Sequence, residues 1–136
     1  MKKKLVKDSR LARLSGIARA LPEALLVMAA QHATFEVHQK VFAYYLNNYQ
    51  GDGMVGVCCL VPPGENERLV GLHPGRYYLP ASRAAEGWAG LRLDVGGVDW
   101  DEVASMVLGS YKRVAPARLV VLADSAAARA GAKKAR

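Results

Sequence analysis

Cysteines, histidines and long apolar runs are all scarce in this chain. Two cysteines and three histidines occur among 136 residues. The cysteines, Cys58 and Cys59, are neighbours, and strand alternation would point them to opposite faces. That arrangement excludes a disulfide framework and predicts two small buried hydrophobes in a reducing compartment. His32, His38 and His73 have no familiar ligand spacing with one another or with the cysteines, so no metal or other cofactor is expected. The longest apolar runs, residues 24–30 and 119–123, fall well short of the roughly 20 residues needed to cross a bilayer. No membrane partner is expected. No apolar stretch follows the N-terminal lysines, so no secretion signal is expected and the expected location is cytoplasmic.

The usual signatures of catalysis are missing as well. Gly51-Asp52-Gly53 lacks the third glycine and following helix of a phosphate loop, and Gly96-Gly97 runs into an acidic segment. Ser82, Ser105 and Ser110 have no nucleophile-elbow context, and no histidine spacing implies a triad. Asp99, Asp101 and Glu102 read as a helix cap rather than a paired-carboxylate site. No catalytic residue is assigned, and an enzyme is not expected.

Positive charge is what the chain does have, at +7 net, and it is unevenly placed. Residues 1–13 hold Lys2, Lys3, Lys4, Lys7, Arg10 and Arg13 against Asp8 alone, and the last twelve add Arg129, Lys133, Lys134 and Arg136. Between them, residues 14–124 carry nine basic and eleven acidic side chains. The length suits one domain, expected over 8–124, with flexible basic tails at 1–7 and 125–136. Such tails can neutralise phosphates without reading sequence. They can equally serve solubility alone.

Periodicity supplies the elements. Asp8 or Ser9 can cap a first helix running to about Leu21, with Leu11, Leu14, Ala18 and Leu21 on one stripe. Alternation then predicts a hairpin, residues 34–37 and 40–46 around His38-Gln39, followed by a strand from Val55 to Val61. A short helix over 65–72 burying Leu69 and Leu72, a short strand at 76–79, a loop at 81–86 and a strand at 88–95 follow. Asp99 and Glu102 form a capping-box-like pair, with Val98 and Val103 as staple, for a helix carrying Trp100, Val103, Val107 and Val114 at helical spacing. Its last turn holds Lys112 and Arg113, which match the helix dipole without any partner. A final helix is predicted from Pro116 to Asp124. This order gives an α+β, two-layer sandwich with the N- and C-terminal helices on one face of an antiparallel sheet.

Lys40-Val41-Phe42-Ala43, Arg76-Tyr77-Tyr78 with Pro80, Gly87-Trp88, Val98-Asp99-Trp100, Ser110-Tyr111 and Ala115-Pro116-Ala117-Arg118-Leu119 together resemble the MmcQ/YjbR family over residues 12–122. The resemblance implies a CyaY (frataxin-like) sandwich and a proposed double-wing mode of DNA binding. It does not carry iron binding, because the first helix has arginines and no carboxylate between Ser9 and Leu21. On one wing the approach to Gly87-Trp88 is Arg83-Ala84-Ala85-Glu86, which leaves Arg83 as its main cation.

The leading expectation is therefore a non-enzymatic module that binds DNA weakly, mostly through phosphates. Its candidate contacts are Lys40, Arg76, Arg83, Arg92, Lys112, Arg113 and Arg118, with Tyr77 and Tyr78 as stacking groups. The alternative is a protein- or small-ligand-binding module with no nucleic-acid role, in which Trp88, Tyr44 and Tyr78 line a pocket.

Overall fold

Strict alternation of buried and half-exposed residues along His32–Val37 makes this segment a strand with one core face. In the computed structural model, which describes residues 9–81 and 83–134, with side chains through residue 126, it is β2 of a six-stranded sheet. The other strands are β1 (Leu25–Ala29), β3 (Lys40–Asn47), β4 (Val55–Leu60), β5 (Tyr77–Tyr78) and β6 (Trp88–Arg92). Their order is β1-β2-β3-β4-β6-β5, with every neighbouring pair antiparallel. The helices are α1 (Ser9–Arg19), α2 (Glu65–Leu72), α3 (Trp100–Val114) and α4 (Ala117–Lys134).

One core joins the helices to the sheet. Leu11, Leu14 and Ala18 of α1, Val103, Val107 and Tyr111 of α3, and Leu119 and Ala123 of α4 pack with Phe35, Phe42, Tyr45, Val57 and Leu91. Leu69 and Val70 of α2 pack on the same side. The α+β class and the flanking of an antiparallel sheet by N- and C-terminal helices thus match the sequence reading.

A bulge in β3 adjusts this packing. Phe35 pairs with Ala43 and Glu36 with Val41, so Phe42 is an extra residue and both Phe42 and Ala43 face the core. Asp99 caps α3, accepting from the Asp101 and Glu102 amides at 3.0 and 3.3 Å.

Several details differ from the sequence reading. Residues 25–29, assigned to no element there, form edge strand β1, where a free edge lets Leu25 and Val27 stay exposed. The first helix ends at Arg19, before Leu21. Leu72 is exposed because it lies in the last, outward-turned part of α2, and only Leu69 and Val70 reach the core. Strand β6 stops at Arg92, where the chain bends, although the Leu93 amide still bonds to the Val55 carbonyl at 2.8 Å. Glu102 does not complete a capping box, since its carboxylate is taken by Arg76 and Tyr77. The last helix continues ten residues past Asp124, its alanine-rich sequence favouring propagation. The tail at 1–7 lies outside the described residues.

Candidate functional site

The face of the sheet turned away from the helices is not the plain polar surface of a two-layer fold. Cys59 joins the main core, while Cys58 points the other way into a second cluster with Leu46 and Trp88. Val41, Tyr44, Tyr49, Leu60 and Tyr78 surround that cluster. The register explains the grouping, because Tyr44 pairs with Cys58, Cys58 with Gly90, and Gly90 with Tyr78. These four residues form one row across the outer face.

Two glycines make the seat for Tyr78. A Cβ added to Gly90 would lie 2.4 Å from its ring, and one added to Gly56 would lie 2.5 Å from its hydroxyl. The hydroxyl sits 3.6 Å from the Cys58 sulfur. Burial pushes the phenol pKa of Tyr78 above the ordinary range, and the neighbouring Cys58 adds to the effect. The same burial raises the Cys58 thiol to about 11.

Beside this row lies an aromatic clamp. Tyr44 meets Trp88 edge to face at 5.0 Å, and Tyr49 meets His32 in the same way at 5.6 Å. The Arg83 guanidinium lies over both tyrosines, 4.2 Å from the Tyr44 ring centre and 5.3 Å from that of Tyr49. Tyr49 is fixed by the tight turn after β3, in which the Asn48 side chain accepts from the Gly53 amide at 2.8 Å. The loop bearing Arg83 is fastened by the buried Asn66, which donates to the carbonyls of Ala84 at 2.9 Å and Trp88 at 3.1 Å. Among the described residues Arg83 has no carboxylate partner, and its Nη1 is buried without a hydrogen-bond partner. Cation–π attraction is worth about 2 kcal/mol when desolvated. A buried unpaired donor costs about 1–3 kcal/mol. Two such ring contacts set against one stranded donor leave the seat favourable to Arg83 but not fully satisfied.

Ion pairs account for most of the other nominated cations. Arg76 pairs with Glu102, Arg92 with Asp94 at 3.0 Å, Lys112 with Asp124 at 2.9 Å and Arg118 with Glu23 at 3.3 Å. Lys40 at the start of β3 and Arg113 near the end of α3 are exposed, with no carboxylate partner among the described residues. The two nominated tyrosines part company. Tyr77 is only 3% exposed, faces the main core and donates its hydroxyl to Glu102, while Tyr78 rests on its glycines. Tyr77 is thus held in the core, whereas Tyr78 is half-buried on the outer face. The structure does not gather the seven cations into one surface. It brings together Arg83 with Tyr44 and Trp88, and separately sets Arg92 on the same outer face beside Tyr78.

The expected pocket of Trp88, Tyr44 and Tyr78 is instead filled by Arg83 and by the rings themselves. Open clefts occur elsewhere. One of 510 Å³ lies between the loop after β4 and residues 84–87, and one of 410 Å³ lies between α2 and α3 beside Tyr77 and Met106. They share Leu60, Val61 and Arg113. Among the described residues no group of three or more His, Cys, Asp or Glu side chains is placed to hold a metal, and no helix is long and apolar enough to cross a membrane.

Sequence reasoning named Tyr44, Trp88 and Arg83 but not their convergence. It missed Asn66, Gly56 and Gly90. A glycine inside each of two strands was the available signal, since such positions mark a close approach.

The crystal structure of Deinococcus radiodurans protein DR2400 is similar to this fold with a TM-score of 0.62 at 21% identity, covering 76% of this chain and 77% of that one. No curated protein matches the sequence. The YjbR family model matches residues 19–113, which span β1 through almost all of α3 and include both the clamp and the tyrosine seat. With its match running through most of the domain, the chain belongs to the YjbR family, the MmcQ/YjbR group that its sequence resembles.

Proposed function

We propose that this chain is a non-enzymatic DNA-binding module of CyaY-like fold that grips the phosphate backbone without reading sequence, mainly through its basic C-terminal helix. The observation that carries this reading is the length of α4. The helix continues to Lys134, so Arg129, Lys133 and Lys134 belong to a helix with no carboxylate after Asp124. In the body, four nominated cations are already paired with carboxylates, leaving Lys40, Arg83 and Arg113 as the candidates for phosphate contact. Family membership supports DNA as the partner, because a double-wing mode of DNA binding is proposed for this group; that mode would use the body cations, beside the grip proposed for α4.

The test is fluorescence anisotropy with a short duplex over a salt series. Each neutralised phosphate contributes about −0.9 to the slope of log affinity against log salt. Replacing Arg129, Lys133 and Lys134 by Gln together is expected to cut the slope by about 2–3. Replacing Lys40 and Arg113 by Gln is expected to cut it less. No binding by the full chain at low salt, or an unchanged slope in the triple variant, overturns the proposal. A second reading, a small-ligand or protein-binding module, is favoured by the 410 Å³ cleft, where Leu69, Met106 and Tyr77 lie near Arg113.

A further inference from the structure

We propose that the Tyr44–Tyr49 clamp is a binding site for a guanidinium or quaternary ammonium group, kept closed in the free protein by the chain's own Arg83. This goes beyond phosphate binding, because the ligand is a cation and the site is on the outer face of the sheet.

The clamp is built independently of its occupant. Tyr44 is set by β3, where it pairs with Cys58, and is braced by Trp88 at 5.0 Å. Tyr49 is set by the turn at Asn48 and braced by His32 at 5.6 Å. His32 is itself oriented, because its Nδ1 accepts the Asn47 amide at 3.1 Å. Four rings from β2, β3, β6 and a fixed turn therefore hold the two walls through contacts that do not involve Arg83. The electron-rich faces of tyrosine attract cations. Those cations must shed water to enter, which guanidinium does readily and a primary ammonium does not.

Arg83 fits this seat incompletely. Its guanidinium satisfies the rings at 4.2 and 5.3 Å, yet Nη1 is buried without a hydrogen-bond partner among the described residues. The donor is stranded because Arg83 approaches from the loop before β6, whose backbone is tied down by Asn66 on both sides of the 84–88 segment. A ligand cation free to choose its own approach need not strand a donor, and a quaternary ammonium has none to strand. The side chain thus acts as an internal competitor. Displacement returns Arg83 to water, where all its donors are satisfied.

The experiment is NMR titration of the full chain, wild type and Arg83→Ala, with guanidinium chloride, tetramethylammonium chloride, ammonium chloride and N-acetyl-arginine amide. All are used well below unfolding concentrations. In Arg83→Ala, the Tyr44 and Tyr49 ring resonances are expected to shift saturably with guanidinium and tetramethylammonium but not with ammonium. The affinity should exceed that of wild type by about tenfold or more, since no internal cation must first leave. Adding Tyr44→Ala should abolish the effect. In wild type, the Arg83 Nε resonance should move toward that of free arginine as the clamp fills. Tighter binding of the arginine amide than of guanidinium points to a polypeptide arginine as the natural occupant, and equal binding to a small cation. Equal affinity in wild type and Arg83→Ala, or equal response to ammonium, overturns the proposal. Should Arg83→Ala fail to fold, an Arg83 Nε resonance that stays fixed in wild type at the highest tetramethylammonium concentration overturns it as well.

Discussion

The Ser110 hydroxyl stands inside the sheet ladder, donating to the Phe42 carbonyl at 2.6 Å and accepting from the Leu60 amide at 2.8 Å. Phe42 is the extra residue of the β3 bulge, and the register places it opposite Leu60. A side chain of α3 thus bridges two main-chain groups where direct pairing is interrupted. Ser110→Ala would leave a buried carbonyl and amide unpaired. Because each such group costs about 1–3 kcal/mol, urea denaturation should show a loss of at least about 2 kcal/mol with little change in m-value. A loss below about 0.5 kcal/mol would mean that the strands close directly over the gap.

The β2–β3 hairpin turns through His38 and Gln39, both with left-handed backbones at φ 50° and 69°. Two-residue turns of this kind normally use Asn and Gly, since a side chain in that conformation costs roughly 1 kcal/mol. His38 is compensated by its 2.8 Å contact with Glu23, which also lowers the Glu23 carboxyl pKa. Among the described residues the Gln39 side chain makes no such contact. Gln39→Gly is therefore expected to stabilise the protein by roughly 1 kcal/mol, read as a raised thermal midpoint. A lowered midpoint would show that the glutamine side chain contributes more than its backbone strain costs.

These two examples mark what sequence could and could not give. The hairpin, the Asp99 cap and the helix stripes were legible because each depends on residues close in the chain. The Ser110 bridge was not, because it spans 68 positions and exists only through a bulge that alternation alone does not announce. The candidate site shows the same division. Aromatic and basic residues on the right strands could be listed, yet pairing of Arg76 with Glu102 or Arg92 with Asp94 depends on the fold, and those pairs decide which cations stay available. Residues 25–29 failed for another reason. Strand β1 is apolar at every position although only Leu26 packs on the core, so it has no alternation to read.

Asp94 gives the domain an acid-sensitive component. Its carboxyl pKa is lowered first by the paired hydrogen bonds from Arg92, both at 3.0 Å, against an opposing effect of burial. A lowered folded-state value means that the stabilisation is complete above the unfolded value near 4 and is lost as pH falls through the folded value. Asp94→Asn should cost about 1 kcal/mol at pH 7. The gap from wild type should close in urea titrations as pH falls from the unfolded value near 4 through the lowered folded-state value. A gap constant with pH would assign the loss to packing instead of charge.

Tyr78, seated on Gly90, places its hydroxyl 3.6 Å from the Cys58 sulfur of the neighbouring strand. Burial raises the Cys58 thiol to about 11 and pushes Cys59 higher still. At pH 8 only about one Cys58 in a thousand is then thiolate, the form that reacts. Both thiols of the native chain should resist alkylation, and both should react promptly once unfolded. Tyr78 is the group lying over Cys58, whereas Cys59 faces the helices, so Tyr78→Ala should expose one thiol and not the other. Peptide mapping after brief iodoacetamide treatment is expected to find label on Cys58 at least about tenfold above Cys59. Equal labelling of the two would mean that the reagent enters by unfolding of the whole domain. The Tyr78 ring would then protect Cys58 only through its effect on global stability, and its seat on Gly56 and Gly90 would be a feature of packing alone.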